Sequence, residues 1–534
     1  MPSNDRSPVI TLRLLRQLKQ QPTKMKVADS TGVQLTSRDL LVRTLALRSY
    51  LKRAVFAEDE INVGVFLPPT VPAVAANLAV AFDGKVAVNL NYTVSSDALG
   101  KCCETAGLKH VITSRKFIDK VGLDPGCPMV FLEDIRERIT IGDRLSALIN
   151  GRFRTAEGLH RKLGLSNQVH DDPLTIIFTS GSTGVPKGVV LSGGNICSNV
   201  DGIDEKIHLS EDDVILGVLP FFHSFGFTVT IWAALCLPCS AVYHYSPLEA
   251  RPIGKLAEQY GATVLLSTPT FLRSYLRRIE PKQFEKLEVV VVGAEKMPAN
   301  LFAEFENKFG VRPAEGYGTT ELSPVVSVNC PAGRESIAGQ REACEGKVGK
   351  PISGVQARVV CPDTDQVLPV GQAGLLEIRG PNVMQGYYSR PDLTAEVMHD
   401  GWYRTGDMAL IDEEGFIEIT GRLSRFSKIG GEMVPHIQIE EALSEIIGMD
   451  EEGTIRVAVS SVPDEKRGER IVVLYTDLPE DQSVILRKLA AMGLPNIYLP
   501  SADSFYKVES IPILGTGKLD LKGLKKAALA QVQS

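Results

Sequence analysis

Residues 175–192 read TIIFTSGSTGVPKGVVLS, with glycines and hydroxyls gathered around a single lysine. Glycine lets backbone amides approach a ligand closely, and hydroxyls add donors, so the stretch suits a polyphosphate. A Walker A loop is excluded, because Lys187 lies between Pro186 and Gly188 instead of following Gly and preceding Ser or Thr. The grip would come from Thr179, Ser180, Ser182, Thr183 and Lys187. An ordinary turn between two strands seldom has this length and composition. Further along, EGYGTTE (315–321) offers the flat ring of Tyr317 for a base. In the same stretch Thr320 has a hydroxyl for a phosphate oxygen, and Glu321 a hard carboxylate for Mg²⁺. YRTGD (403–407) supplies Asp407, a partner for ribose hydroxyls. Arg422 follows at the end of a strand-like run, and ILGTGKLD presents Lys518 on a glycine-flanked turn.

These residues are spread over most of the chain, so the elements between them must bring them together. From about 60 to 320 short apolar runs such as INVGVFL, LTIIFTS, ATVLLS and LEVVVVG alternate with helix-like stretches such as RPIGKLAEQYG and PANLFAEFENKFG. That alternation predicts parallel sheets covered by helices on both faces. From about 345 to 424 strands and turns dominate, which predicts a smaller β-rich, barrel-like subdomain. Beyond RLSRFSKIGG the pattern resets, with the amphipathic helix HIQIEEALSEIIG and the strands IRVAVSSV and RIVVLYT. The expected division is an N-terminal core over 1–424 and a small mobile α+β domain over 425–534, hinged at 421–431.

The chain has 534 residues, too many for one core, with 44% hydrophobic and 23% charged residues, as in an ordinary globular protein. A net charge of −6 excludes nucleic acid as the main partner. Nine scattered cysteines suit reduced thiols and a cytoplasmic setting. Cys236 and Cys239 have redox or zinc spacing but no second pair, so buried structural thiols are expected. Charges interrupt the N-terminal segment, which is therefore no signal peptide. The uncharged run 224–248 is broken by Gly226 and Pro238, and reads as a buried helix followed by a strand.

Taken together, TSGSTGVPKG, GYGTTE, YRTGD, GRLSRFSKIGGEMV and ILGTGK resemble the motifs of the adenylate-forming superfamily, over essentially the whole chain. That superfamily contains acyl-CoA synthetases, peptide-synthetase adenylation domains and luciferases. The resemblance implies ATP and Mg²⁺ as cofactors. It identifies Thr179, Ser180, Gly181, Ser182, Thr183 and Lys187 as the phosphate loop, and GAEKMP (Gly293, Ala294, Glu295) with Gly316, Tyr317 and Gly318 as the adenine pocket. It further implies Glu321 as metal ligand, Asp407 and Arg422 as ribose contacts, Arg425 as the hinge residue and His223 as a pocket histidine. Lys518, with Thr320 and Glu321, would be catalytic. The implied reaction joins a carboxylate to the α-phosphate of ATP, releases pyrophosphate, and after domain rotation passes the acyl group to a thiol.

Segment 224–248 contains no Asp or Glu to pair with a substrate ammonium, which disfavours amino acids. Phe225, Phe227, Ile231, Trp232 and Leu235 instead suggest an acyl tunnel or plain core, and a medium- to long-chain fatty acid as substrate. Within the superfamily, NLNYT, ITSRKFIDK, FFHSFGFT and RFSKIGGEMV look most like the acyl-acyl carrier protein synthetase half of the bacterial acylglycerophosphoethanolamine acyltransferase enzymes. The acyltransferase domain of those enzymes has no counterpart here, so lysophospholipid activity is not implied. Acyl carrier protein is thus the expected acceptor, with CoA as the alternative. Arg422, Arg425, Lys428, Lys522, Lys525 and Lys526 form either its landing surface or a solvated face. A catalytically silent adenylate-binding protein is the alternative of another class. The basic segment with Arg13, Arg16 and Lys19 among Leu12, Leu14, Leu15 and Leu18 is either a weak peripheral membrane contact or a helix packed on the core.

Overall fold

The computed structural model describes residues 8–179, 186–334, 341–430, 432–447, 455–464, 466–513 and 519–533. A large N-terminal α/β domain is followed by a smaller C-terminal α+β domain. The large domain contains two sheets whose central strands run parallel. One has nine strands, with Val289–Val292, Val264–Ser267, Val214–Gly217, Ser240–Tyr243 and Met25–Asp29 as its parallel centre. The other has seven, centred on Val86–Asn89, Asn62–Val65 and Val111–Thr113. The apolar runs picked out in the sequence are these strands. They are buried on both faces, so they need no polar alternation. The helix Val71–Phe82 (VPAVAANLAVAF) is apolar all round, and all but one of its residues are buried.

Residues 356–422 form a separate five-stranded antiparallel sheet, and residues 426–507 build the five-stranded sheet of the C-terminal domain. That last sheet packs its own core of Val459, Val473, Leu443 and Ile485 under the helix His436–Ile447. Strands Pro173–Thr179 and Lys187–Ser192 form an antiparallel hairpin in which Thr179 pairs with Lys187. The two ends of the stretch between Thr179 and Lys187 are thereby pinned. Ser180, Gly181, Ser182 and Thr183 lie outside the described residues, as does Lys518. The flanks of Lys518, Ile513 and Leu519, meet in an antiparallel bridge.

Two open alternatives resolve here and one expectation changes. The first concerns the N-terminal helix Ile10–Gln20, which buries Leu14, Leu15 and Leu18 completely against the large domain. Its cations bond to protein: Arg13 to Asp201, Arg16 to Glu157, and Lys19 to the Gly151 carbonyl. No apolar face of this helix is left for a bilayer. The second concerns segment 224–248, a buried helix wound as a π-helix over Gly226–Ala233, then the strand Ser240–Tyr243. Phe227, Ile231, Trp232 and Leu235 are core residues, not a tunnel wall, because each is fully enclosed by neighbouring apolar side chains. The third concerns Arg425, which is buried. Its guanidinium holds Glu440 and the Val459 carbonyl at 3.3 Å, so it offers no charge to a docking partner. Among the described residues no helix is long and apolar enough to cross a membrane. Cys236 and Cys239 are buried, and burial pushes both thiols up, Cys239 to about 11.

Candidate active site

A cavity of about 750 Å³ opens where the C-terminal ends of the parallel strands meet the β-rich subdomain. Ligand crevices of open α/β sheets form at this edge, where loops diverge and leave room. Of the residues singled out in the sequence, Thr179, Lys187, His223, Gly293, Ala294, Gly316, Tyr317, Gly318, Thr320, Glu321 and Arg422 line it. Asp407, buried, contributes no wall of its own. Its two oxygens are taken by the Tyr317 hydroxyl at 2.5 Å and by Arg422 Nε at 2.8 Å. Glu295 turns away, accepting from the Thr270 hydroxyl at 2.7 Å beside the start of the helix Pro269–Arg278.

The backbone that carries these groups is unusually tight. A Cβ on Gly318 would sit 1.9 Å from the Pro324 carbonyl oxygen, so only glycine fits where the chain folds back on itself. Thr319 donates its backbone N–H to that same carbonyl at 3.1 Å. The short turn Thr320–Leu322 then aims Glu321 into the cavity. Ala294 has φ +68°, a left-handed conformation rare for alanine, directly after the buried strand Val289–Val292. Backbone strain at a cavity wall is a common companion of ligand positioning.

Electrostatically the polar part of the wall is a belt of phenols and ions. Tyr387 donates to Glu321 Oε1 at 2.9 Å, and Lys187 Nζ lies 5.0 Å from the centre of the Tyr387 ring. Burial first, and then Glu321, pushes the hydroxyls of Tyr387 and Tyr403 upward. Burial and Asp407 do the same for Tyr317. All three therefore remain protonated donors at neutral pH. Asp407 raises Arg422, which stays cationic. Glu321 is the only acid in the described lining, beside the cationic side chains of Lys187, Arg404 and Arg422. Arg422 is paired with Asp407, and Arg404 with Glu377 and Asp365, so of the three Lys187 alone is held by no ion pair among the described residues.

Much of the remaining wall is apolar. Ile203 and Ile207 from the helix Gly193–Ile207, Val229, Leu266, Val291 and Val328 line it, together with Phe225. Of the aromatic run FFHSFGF, Phe225 alone meets the cavity with His223 and Ser224. Sequence reasoning missed Tyr387, Tyr403 and most of this apolar set. Tyr403 was legible as the first residue of YRTGD. The valines and isoleucines were not, because a side chain facing a cavity and one facing a core have the same composition.

Among the described residues no cluster of three His, Cys, Asp or Glu side chains could hold a metal. One carboxylate is nonetheless what Mg²⁺ ordinarily takes from a protein when substrate phosphates and water complete its octahedron. Glu321, with Oε1 held by Tyr387, fits that donor role.

The comparisons with known proteins agree with this geometry. A family model described as AMP-binding enzyme matches residues 14–388. The long-chain-fatty-acid–CoA ligase of Salmonella typhimurium is 27% identical, over 94% of this chain and 92% of its own. The 4-coumarate–CoA ligase 1 of Arabidopsis thaliana is also 27% identical, over 93% and 88%. Among solved structures, ATP-bound MatB from Rhodopseudomonas palustris aligns over 97% of this chain and 99% of its own. Its TM-score is 0.78 and its identity 26%.

Proposed function

We propose that this chain, which belongs to the AMP-binding enzyme family, activates a fatty acid as its acyl-adenylate and transfers the acyl group to a thiol, CoA by preference. The observation that carries the reading is a single cavity whose wall combines Lys187, Glu321 and Arg422 with a large apolar set, Ile203, Ile207, Phe225, Val229 and Leu266. The Tyr317, Asp407 and Arg422 cluster suits the nucleoside, while Lys187 and Glu321 suit the phosphates. The apolar set, with no second carboxylate in the described lining, suits an alkyl chain and not an ammonium-bearing acid.

The chemical problem is the meeting of two anions, a carboxylate and an α-phosphate. Lys187 supplies positive charge along the phosphates, and removing one such preorganised group commonly costs on the order of 10²–10³ in rate. Mg²⁺, when bound at Glu321, would neutralise phosphate charge. Lys518 is assigned to the first half-reaction by its motif. The division of the chain near 424 belongs to the same reading. It is supported by the separate sheets on either side and by Arg425 packing wholly within the C-terminal core.

CoA is preferred because the expected carrier-protein surface at the hinge is depleted. Arg425 is buried, Arg422 is held by Asp407, and Lys428 by Asp363 at 2.9 Å. Lys522, Lys525 and Lys526 stay exposed at the start of the helix Leu521–Gln533, which keeps acyl carrier protein as the second acceptor to test. The experiment is ATP–pyrophosphate exchange with aliphatic acids, 4-coumarate and amino acids, followed by acyl transfer to CoA and to holo-carrier protein at equal concentration. Exchange with dodecanoate or longer acids, its loss in Lys518→Ala, and faster transfer to CoA are expected. Exchange with amino acids or coumarate alone would refute the fatty-acyl reading, and faster transfer to carrier protein would reverse the acceptor.

A further inference from the structure

The helix Ile141–Phe153 is built inside out. Its inward positions, Asp143, Ala147 and Gly151, recur every fourth residue and are buried, whereas its large apolar side chains face solvent. Ile141 is 84% exposed, Leu145 54%, Leu148 46%, Ile149 48% and Phe153 74%. At 100° per residue these five fall on one stripe, opposite the inward seam. The seam is specific. A Cβ on Gly151 would come within 2.8 Å of Val42 on the helix Ser37–Ala54, so small residues let the two helices approach. Asp143 is fixed there by Ser49 at 2.7 Å and Arg53 at 2.9 Å. The helix therefore cannot roll its stripe inward without expelling this contact.

The surroundings of the stripe are cationic. Between 136 and 162 there are seven Lys or Arg and three Asp or Glu, in a chain whose net charge is −6. Two of the three acids are already paired, Asp143 with Arg53 and Glu157 with Arg16. Arg136, Arg138, Arg144, Arg152, Arg154, Arg161 and Lys162 are all exposed, and no ion pair of theirs occurs among the described residues. Arg152 lies 5.7 Å from the ring centre of Phe153.

We propose that this helix is a docking face for an anionic phospholipid bilayer, lying in the plane of the headgroups. An apolar stripe this exposed, with Arg152 set within it, marks an interaction surface. An amphipathic helix with arginines beside its apolar face matches the chemistry of a bilayer with acidic headgroups, whose surface potential attracts each cation. A second copy of this chain fits less well, because a two-fold contact through the stripe would set one arginine-rich surface against another. The inference needs neither the catalytic reading nor the N-terminal helix, whose leucines are buried.

The test is co-sedimentation of the full chain with vesicles of equimolar phosphatidylglycerol and phosphatidylcholine, and with phosphatidylcholine vesicles alone. Binding to the anionic vesicles is expected, weakened by salt and at least about tenfold weaker in the triple variant Leu145→Glu, Ile149→Glu, Phe153→Glu. The thermal midpoint of that variant should match the parent, since all three positions are exposed. Should it fail to fold, Phe153→Trp decides the matter. The introduced indole should be quenched by brominated phospholipid in the same vesicles. Absence of vesicle binding, binding unaffected by the triple variant, or an unquenched indole would each overturn the proposal. So would a dimer dissolved by the triple variant in a chain that ignores vesicles.

Discussion

Glu315 is one residue from the cavity wall and faces the protein interior instead. It is buried, and desolvation raises its carboxyl to about 7, against the partial relief of the Gly346 N–H at 3.2 Å. A folded-state value above the ordinary 4.5 means that the folded chain holds the proton more tightly than the unfolded chain. Between pH 4.5 and 7 the folded state thus binds more protons, and stability falls as pH rises through that window. Glu315→Gln removes the titration and keeps an oxygen for Gly346. Denaturant unfolding should show the variant gaining about 1–3 kcal/mol on the parent between pH 5 and pH 8. Parallel pH profiles would place the penalty elsewhere. Asp407 meets Tyr317 and Arg422 instead of the cavity, orienting one and pairing with the charge of the other.

At the scale of elements, the site depends on how tightly the turn 318–324 closes. The strand Ala314–Gly318 pairs antiparallel with Val325–Val328 through this turn, and its return delivers Thr320 and Glu321 to the cavity. Gly318→Ala would push a Cβ into the Pro324 carbonyl, a backbone atom that cannot swing aside. Overpacking of this kind costs about 1–3 kcal/mol. The expected outcome is a lower thermal midpoint together with a loss of nucleotide-dependent stabilisation, measured by melting with and without ATP. A variant that melts lower but retains its full response to ATP would show that the turn can shift without moving Glu321.

At the scale of the molecule, the large and C-terminal domains touch through exposed ion pairs. Lys296, two residues past the wall residue Ala294, reaches Glu441 on the helix His436–Ile447 at 2.8 Å. Lys428 reaches Asp363 at 2.9 Å. Each exposed pair is worth roughly 0.2–1 kcal/mol and is screened by salt. Lys296→Glu should therefore shift the balance of domain arrangements by about 1.4- to 5-fold, read as a change in the distance distribution between dyes on the two domains. Adding Glu441→Lys to the variant should restore it. No change in either variant would mean that this contact does not bias the arrangement. The pair also links the loop after the strand Val289–Val292 directly to the helix His436–Ile447.

That Thr179, Lys187, GYGTTE and YRTGD share one cavity was legible in the sequence, because glycines and hydroxyls gathered at such spacings suit an exposed binding wall better than a core. Parallel sheets were legible because strands buried on both faces must be apolar throughout. Four matters were decided only by tertiary packing. Phe227, Ile231, Trp232 and Leu235 went to the core and Val229 to the cavity, since a π-helix turns its faces differently from the helix that spacing implies. Arg425 went inside, because Glu440 from a helix fifteen residues on closed over it. Leucines of Ile10–Gln20 were covered while those of Ile141–Phe153 were left bare, although both helices are amphipathic. Glu295 was drawn off to Thr270. A pattern along the chain states which residues share a face; only the neighbour that arrives, or fails to, determines what that face meets.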